Sequence, residues 1–383
     1  VATEIPRAGE CVIVGGGVVG CSLAYHLAAA GMRPLLLDRG DFGAGSTARC
    51  AGGVRQQFTT EVNVRVGMLS RRLLERFDDE IGATADLREI GYLFVATDPG
   101  QLAQFERNVV MQRAAGLEDV RMVGRDEIAE LVPDLRITDV LGGTYCPSDG
   151  LAGPNEVTSG YVAAARRLGA TVLEGVGVEA VHRDGDHVTG VTAGGIRIAA
   201  PMVVDCAGPH AAEVGRMAGV EVPVRPYRRH IFITETFALR RSPPFTVDMR
   251  TSFYFHPEGD GLLLGMGDPG EPSSFDTSVD WSFLEHLVEH ATARLPALEG
   301  AAIRTGWAGL YEVSPDHQAI VGESEVRGLW LCCGFSGHGF MQAPAVGRLL
   351  AQQITGATTD IDLAPFSPDR FARGGSIPET AVI

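Results

Sequence analysis

The stretch that decides the fold is CVIVGGGVVGCSLAYHLAAAGMRPLLLD, residues 11–38. Glu10 to Val14 is an apolar run that reads as a strand. Gly15-x-Gly17-x-x-Gly20 follows at once, and Cys21 to Ala30 is rich in strong helix formers and stops at Gly31. Pro34 to Asp38 is a second strand ending on an acid. Strand, glycine turn, helix and strand within about thirty residues make a βαβ unit. A lone GxGxxG is common, but here the strand before it, the helix after it and Asp38, 18 residues beyond Gly20, supply the context of a dinucleotide site. Gly15 allows the tight turn, Gly17 lets a pyrophosphate approach the backbone, and Gly20 lets helix and strand pack closely. The helix N-terminus then faces the phosphates, with Val18 and Val19 in the turn before it. Asp38 accepts from the ribose hydroxyls, with Arg39 beside it.

The remaining chain sets limits around this unit. At 383 residues two domains are expected. Hydrophobic residues are 45% and charged residues 21%, the profile of a globular protein with a sizeable core. Glycine, 49 residues, is in excess, so backbone must turn sharply or approach a ligand in many places. A net charge of −16 argues against nucleic acid and anionic membrane surfaces. Seven scattered cysteines form no CxxC pair and no zinc spacing. They suggest reduced thiols, a cytoplasmic location and no metal. Cys332-Cys333 reads as a pair of buried strand residues. No signal segment opens the chain and no run of 18 apolar residues exists, so no membrane span is expected.

Helices are expected at Thr59–Phe77, from Pro99 to Gly116, at Pro154–Leu168, Asp280–Leu295 and Pro344–Ile354. Strands are expected at Ile90–Ala96, through most of 171–207 and 222–267, and at Gly328–Cys333. The nucleotide-binding signals sit at both ends and in the middle. This interleaving predicts an α/β fold: a Rossmann-like domain of separated segments, 1–85, 150–215 and 305–383. A second, α+β substrate domain, 86–149 and 216–304, then carries a mostly antiparallel sheet.

Two further stretches carry chemistry. GSTARCAGGVRQQF, residues 45–58, is small, polar and long, a backbone-rich path for an extended ligand; the alternative is a surface loop. LCCGFSGHGF, residues 331–340, is a second glycine turn, more than three hundred residues after the first.

These motifs, with GLYEVSPDHQAIVGE at 309–323 and GFSGHGFMQAPAVGRLLA at 334–351, resemble the FAD-dependent amine and amino-acid oxidoreductases of the D-amino-acid oxidase superfamily. The likeness extends over nearly the whole chain. It is nearest to the sarcosine oxidase and L-proline dehydrogenase β-subunit type. The resemblance implies that the C-terminal strand rejoins the first sheet, so that one glycine turn holds the FAD pyrophosphate and the other holds the ring. It places Ser46, Thr47, Arg49, Ala51, Gly52 and Gly53 along the cofactor, Val178 at the adenine, and Ala207 and Gly208 at a second strand end. Gly309, Tyr311, Gly334, Ser336, Gly337, His338, Gly339, Phe340 and Met341 surround the flavin. A substrate carboxylate needs a cation, ideally a bidentate Arg. Arg55 stands where relatives carry a substrate arginine; the alternative is a structural salt bridge. His338 is either an active-site group or a packed residue. Tyr254, His256 and the Arg228-Arg229 pair are further candidates in the substrate domain, though aromatic strand residues are more often core.

The departures matter as much. Tyr311 replaces the carboxylate-binding Arg of glycine oxidase and D-amino-acid oxidase. Met341 and Leu263 stand where sarcosine oxidases carry lysines, which favours a dehydrogenase over an oxidase. The covalent flavin anchors of relatives align with Gly309, Arg49 and a site near Pro154, so noncovalent FAD is expected. The implied activity is oxidation of a secondary amine or N-alkyl amino acid to an imine, by hydride transfer to flavin N5. The alternatives are a D-amino-acid or glycine oxidase and, in another class, a noncatalytic flavoprotein assembly factor or subunit. The acceptor, and whether the protein is a monomer or a hetero-oligomer, stay open.

Overall fold

A computed structural model describes residues 4–381. At its centre is a six-stranded sheet in the order Ile320–Glu323, Leu329–Cys333, Val203–Asp205, Cys11–Val14, Pro34–Leu37, Thr171–Leu173. All neighbours are parallel except the Ile320–Glu323 edge, which runs antiparallel to Leu329–Cys333. Cys11–Val14 is buried on both faces, as a near-continuous apolar run in a parallel sheet should be. Strand alternation sorts the side chains. Cys11, Ile13 and Leu36 enter one core with the helices, and Val12, Val14, Leu35 and Leu37 enter another, under a three-stranded antiparallel sheet formed within 178–199.

The helix Val18–Ala29 packs between Pro154–Arg167 and Gly339–Thr355. Close approach is needed there: a Cβ on Gly347 would lie 2.3 Å from Ser22 Oγ and 2.9 Å from Leu23 N. Both ligand-facing helices begin earlier than their sequence signals suggest. The first starts at Val18 rather than Cys21, with Gly17 as its N-cap in extended conformation. The last starts at Gly339 rather than Pro344, so Pro344 lies inside the helix. Proline there cannot donate to Phe340 O, and the next amide, Ala345 N, meets Ser70 Oγ at 3.1 Å.

An eight-stranded sheet takes its strands from Tyr92–Ala96, Arg121–Val123, Gly142–Cys146, Arg225–Thr234, Phe245–Asp248, Phe253–Glu258, Gly261–Gly265 and Ile303–Val313. Its pairings are antiparallel apart from Phe245–Asp248 with Tyr92–Ala96. Ile303–Val313 pairs along its length with Arg225–Thr234. Residues 305–313 therefore belong to the larger sheet, not to the six-stranded one, and this strand carries the larger sheet to the edge of the smaller. The helices Arg125–Leu131 and Ala211–Met217 also lack a strong sequence signal. Cys332 and Cys333 are buried in their strand, and all seven cysteines are free. Among the described residues no helix is long and apolar enough to cross a membrane, and none of the His, Cys, Asp and Glu side chains cluster as a metal site.

Candidate functional site

A cavity of about 640 Å³ runs where the two sheets meet. Its first end is the glycine turn. Gly15 has φ +106°, and a Cβ there would lie 2.4 Å from Cys206 O. A Cβ on Gly20 would lie 2.0 Å from Gly15 O, so Gly20 sits behind the wall and serves the helix–strand packing. Gly17 differs: only Thr47 Oγ1, at 3.4 Å, is near its would-be Cβ, which would enter the cavity. Thr47 Oγ1 accepts from Val18 N at 3.1 Å, and Asp38 Oδ2 accepts from Gly16 N at 2.6 Å. Asp38, Arg39 and Val178 lie on the wall. Beyond them Arg39 Nη2 meets His210 Nε2 at 2.5 Å, His210 Nδ1 meets Glu213 Oε2 at 2.8 Å, and the His210 ring stacks on Phe275 at 4.3 Å.

Residues 43–55 form the long wall. Ser46 Oγ donates to Leu310 O at 2.6 Å, Arg49 Nη1 to Ala308 O at 3.0 Å, and Trp307 Nε1 to Arg49 O at 3.0 Å. The segment is thereby stitched across Ile303–Val313 and is no free surface loop. Thr47, Arg49, Ala51, Gly52 and Gly53 all line it. Gly309 leaves room for Arg49, whose Cβ would stand 2.9 Å from a Cβ at 309.

The other end is the turn before Gly339–Thr355. Leu329–Cys333 lies in the same sheet as Cys11–Val14, so the two glycine turns open onto one cavity. Gly337 has φ +94°, and a Cβ there would strike the Tyr311 ring at 2.4 Å. The helix has no side-chain cap. Its first amides are left without intrahelical acceptors and carry the positive end of the helix dipole. Ser336, Gly337, His338, Gly339, Phe340 and Met341 line this end, while Gly334 turns the chain behind it, against Val224 and Ile320. The backbone of the two turns therefore suits an elongated ligand with an anionic group at one end and a ring that takes up negative charge at the other.

Besides Arg39 at the first end, three arginines reach the cavity: Arg49, Arg55 and Arg229. Arg228 and Arg229 alternate across their strand. Arg228 points to Glu271 and Asp276, whereas the Arg229 guanidinium stands 5.2 Å over the Tyr311 ring with Nε unpartnered. Arg55 is 1% exposed, and among the described residues it has no carboxylate at ion-pair distance. Its guanidinium lies 4.2 Å over Phe58, and Nη2 donates to His338 Nε2 at 2.9 Å. Burial and the Arg55 charge hold His338 well below the ordinary imidazole range, so it stays a neutral acceptor.

Tyr254 lines the cavity and stacks near Phe245; burial pushes its phenol well up. His256 is a correction. It does not line the cavity, its ring nitrogens meet Pro257 O at 2.8 Å and Ala51 O at 3.1 Å, and burial lowers it to about 4. It is a packed residue that ties a strand to the 43–55 wall.

The sequence reading missed two buried acids. Glu312 borders the cavity, with Oε2 unpartnered, and burial raises it to about 7. Asp205 is wholly buried at the end of Val203–Asp205; Oδ1 accepts from Ala207 N at 3.0 Å and Oδ2 has no partner. Burial, then opposed by the Ala207 amide and reinforced by Glu312, raises its carboxyl to about 8. A raised carboxyl stabilises the fold in its protonated form. That contribution is full below the unfolded value of about 3.9 and is lost as pH rises through the folded value. Asp205→Asn should therefore gain on the wild type by about 2–4 kcal/mol in urea unfolding between pH of about 5 and about 9. A constant difference across that range would contradict the assignment.

The sequence model of one family, DAO: FAD dependent oxidoreductase, matches residues 10–353. The chain belongs to the FAD-dependent oxidoreductases. This flavoprotein is 32% identical to L-proline dehydrogenase from P. horikoshii, whose crystal structure superposes with a TM-score of 0.90 over 97% of this chain and 99% of that one. It is 31% identical to human mitochondrial sarcosine dehydrogenase, over 96% of this chain and 42% of that protein. It is 32% identical to human mitochondrial dimethylglycine dehydrogenase, over 95% of this chain and 44% of that protein. The chain thus spans less than half the length of these two mitochondrial relatives.

Proposed function

We propose that the cavity binds one FAD noncovalently and that the protein oxidises a secondary amine or N-alkyl amino acid, of the sarcosine, dimethylglycine or proline type, to an imine. The single observation that carries the substrate class is Arg55, a buried cation at the cavity wall without an acidic partner among the described residues. Its hydrogen bonds go to neutral acceptors, and an incoming carboxylate supplies a countercharge in direct contact, with charge-assisted hydrogen bonds.

In this reading the turn at Gly15, Gly17, Val18 and Val19 takes the pyrophosphate, Asp38 and Arg39 the ribose, and Val178 the adenine. Ser46 to Gly53, Ala207 and Gly208 follow the cofactor's length, and Gly309, Tyr311 and Ser336 to Met341 enclose its ring. Bound flavin supplies an acceptor for the hydride. The chain's own residues do the remaining work. Arg55 orients the carboxylate, Tyr92, Phe245 and Tyr254 exclude water, and the uncapped amides at Gly339–Met341 stabilise negative charge. Neutral His338 holds Arg55. No acid–base pair of the chain is assigned: the amine gives up its ammonium proton to water on binding, and loss of hydride from carbon leaves the protonated imine. The absence of a cysteine or histidine at Gly309 and Arg49 supports noncovalent binding. Segments 1–85, 150–215 and most of 314–383 form the FAD-binding domain in this reading, and the larger sheet forms the substrate domain. The unpaired cysteines support a reducing, cytoplasmic setting.

This chain contains no lysine, and Met341 and Leu263 stand where oxidase relatives carry one. We therefore favour a dehydrogenase that hands electrons to an acceptor other than oxygen. Anaerobic addition of sarcosine, L-proline, dimethylglycine and N-methylated amines is the test. At least one amino acid should bleach the flavin, and aerobic turnover should reduce an artificial dye rather than yield peroxide. FAD that stays oxidised with every compound would leave the noncatalytic flavoprotein as the better account.

A further inference from the structure

Arg55 is held from a direction that the reaction does not explain. Its Nη2 donates both to His338 Nε2 at 2.9 Å and to Ala381 O at 2.5 Å, and its Nη1 donates to Gln57 O at 2.5 Å. A guanidinium has five N–H groups. Three are engaged before any ligand arrives; the two left, on Nε and Nη1, lie on different edges of the guanidinium, so a carboxylate meets Arg55 through one of them. Arg55 lines the cavity, while Ala381 does not.

Ala381 owes its position to a dense set of contacts. Glu379 is 0% exposed, yet among the described residues no arginine pairs with it. Its carboxylate instead accepts from Thr59 N at 3.1 Å, Thr59 Oγ1 at 2.6 Å, Thr60 Oγ1 at 3.5 Å and Asn63 Nδ2 at 2.9 Å. These donors sit at the start of the helix Glu61–Glu75, which has no side-chain cap from its own Thr60. A buried carboxylate is tolerable there because several donors and the helix dipole offset its lost hydration. Ala381 N then donates back to Glu379 Oε1 at 3.0 Å, and Thr380 N to Thr59 Oγ1 at 3.1 Å.

The preceding residues are fastened as well. Ser376 Oγ donates to Asp316 Oδ2 at 2.6 Å, Gln318 Nε2 to Ile377 O at 3.0 Å, and Glu379 N to Asp316 O at 3.0 Å. Asp316 is itself locked by a buried bidentate pair with Arg370, at 2.8 and 2.9 Å. Asn63 closes the circuit, donating to Gln318 Oε1 at 2.8 Å and accepting from Gln342 Nε2 at 3.0 Å.

We propose that Ser376–Ala381 is a positioning strap for Arg55, that Glu379 is its anchor, and that the strap sets the affinity for the substrate carboxylate. This rests on Arg55 as the carboxylate site. A strap fixed at Asp316 and at Thr59–Asn63 delivers the Ala381 carbonyl to Nη2. The guanidinium is then aimed before the ligand binds, which lowers the ordering cost of binding. Glu379 is a positioning residue and touches no substrate.

The experiment uses the FAD-loaded protein and acetate, whose binding is read from the perturbed visible spectrum of the flavin. Glu379→Ala should weaken acetate about tenfold, and raise KM for sarcosine or L-proline similarly with the limiting rate of flavin reduction within about twofold. Glu379→Gln, which keeps one acceptor oxygen, should recover part of the loss. Should Glu379→Ala not hold FAD, Thr59→Val and Ser376→Ala replace it, each with about a threefold loss of acetate affinity. Arg55→Met is the reference. Acetate weakened by Arg55→Met and unchanged in the strap variants overturns the strap and leaves Arg55 standing. Acetate unchanged in Arg55→Met itself overturns the underlying reading. A fall in limiting rate with KM unchanged also overturns the strap, because that pattern belongs to the chemical step.

Discussion

Arg55→Met is expected to lower kcat/KM for sarcosine or L-proline by about 10²–10³-fold, the cost of removing one partner of a buried charge pair. The side chain is embedded against Phe58 and Phe94, so an unbranched apolar replacement fills the same space. FAD content should therefore persist, and the loss should appear chiefly in KM. The matched amines without a carboxyl group, dimethylamine and pyrrolidine, isolate the effect, since they offer Arg55 nothing to bind. Their turnover relative to the amino acids should rise by the same factor. An equal loss for both members of a pair would show that Arg55 is only structural. Lysine is no conservative substitute: it lacks the fork that contacts Gln57, His338 and Ala381 together.

The second large effect separates two glycines of one motif. Gly15→Ala places a Cβ within 2.9 Å of three backbone atoms of Cys206 and Ala207, at φ +106°. Backbone cannot step aside as a flexible side chain can, so a stability loss of about 3–5 kcal/mol is expected. Gly17→Ala meets only Thr47 Oγ1, at 3.4 Å, in an extended conformation that alanine adopts freely. That variant should keep its thermal unfolding temperature without cofactor and lose FAD affinity by at least about 100-fold, because its methyl occupies space facing the cavity. Comparable destabilisation of both variants would remove the case that Gly17 serves a ligand.

The contrast also shows what was readable in the chain. Gly15 and Gly17 could be singled out from the strand–turn–helix motif around them, whereas Gly337 came only with the family resemblance, since the Tyr311 ring it must clear lies in another strand. The strand Cys11–Val14 was equally plain, since a strand buried on both faces leaves an unbroken apolar run. Ile303–Val313 was not recognised as one strand of the larger sheet, because Gly306 and Gly309 interrupt its alternation and only its partner Arg225–Thr234 makes it regular. Pro344 looked like a helix start and proved to be interior, with Ser70 from a distant helix meeting the neighbouring amide. The division of labour between Arg228 and Arg229 follows from strand alternation, which turns one to Glu271 and Asp276 and the other to the cavity. His256 was misplaced because its decisive partner, Ala51, is 205 residues away. The Ser376–Ala381 strap left no signal at all: its sequence is that of an ordinary polar turn, and its function depends on an arginine 326 residues earlier.

Everything depends on two glycine turns, far apart in sequence, opening onto one FAD site. The most direct measurement is a titration of FAD into cofactor-free protein, followed by flavin fluorescence and then by acid precipitation. The account predicts saturation at one FAD per chain, with all of the flavin returned to the supernatant. Protein that leaves the fluorescence unchanged, or a pellet that retains the flavin, would contradict it.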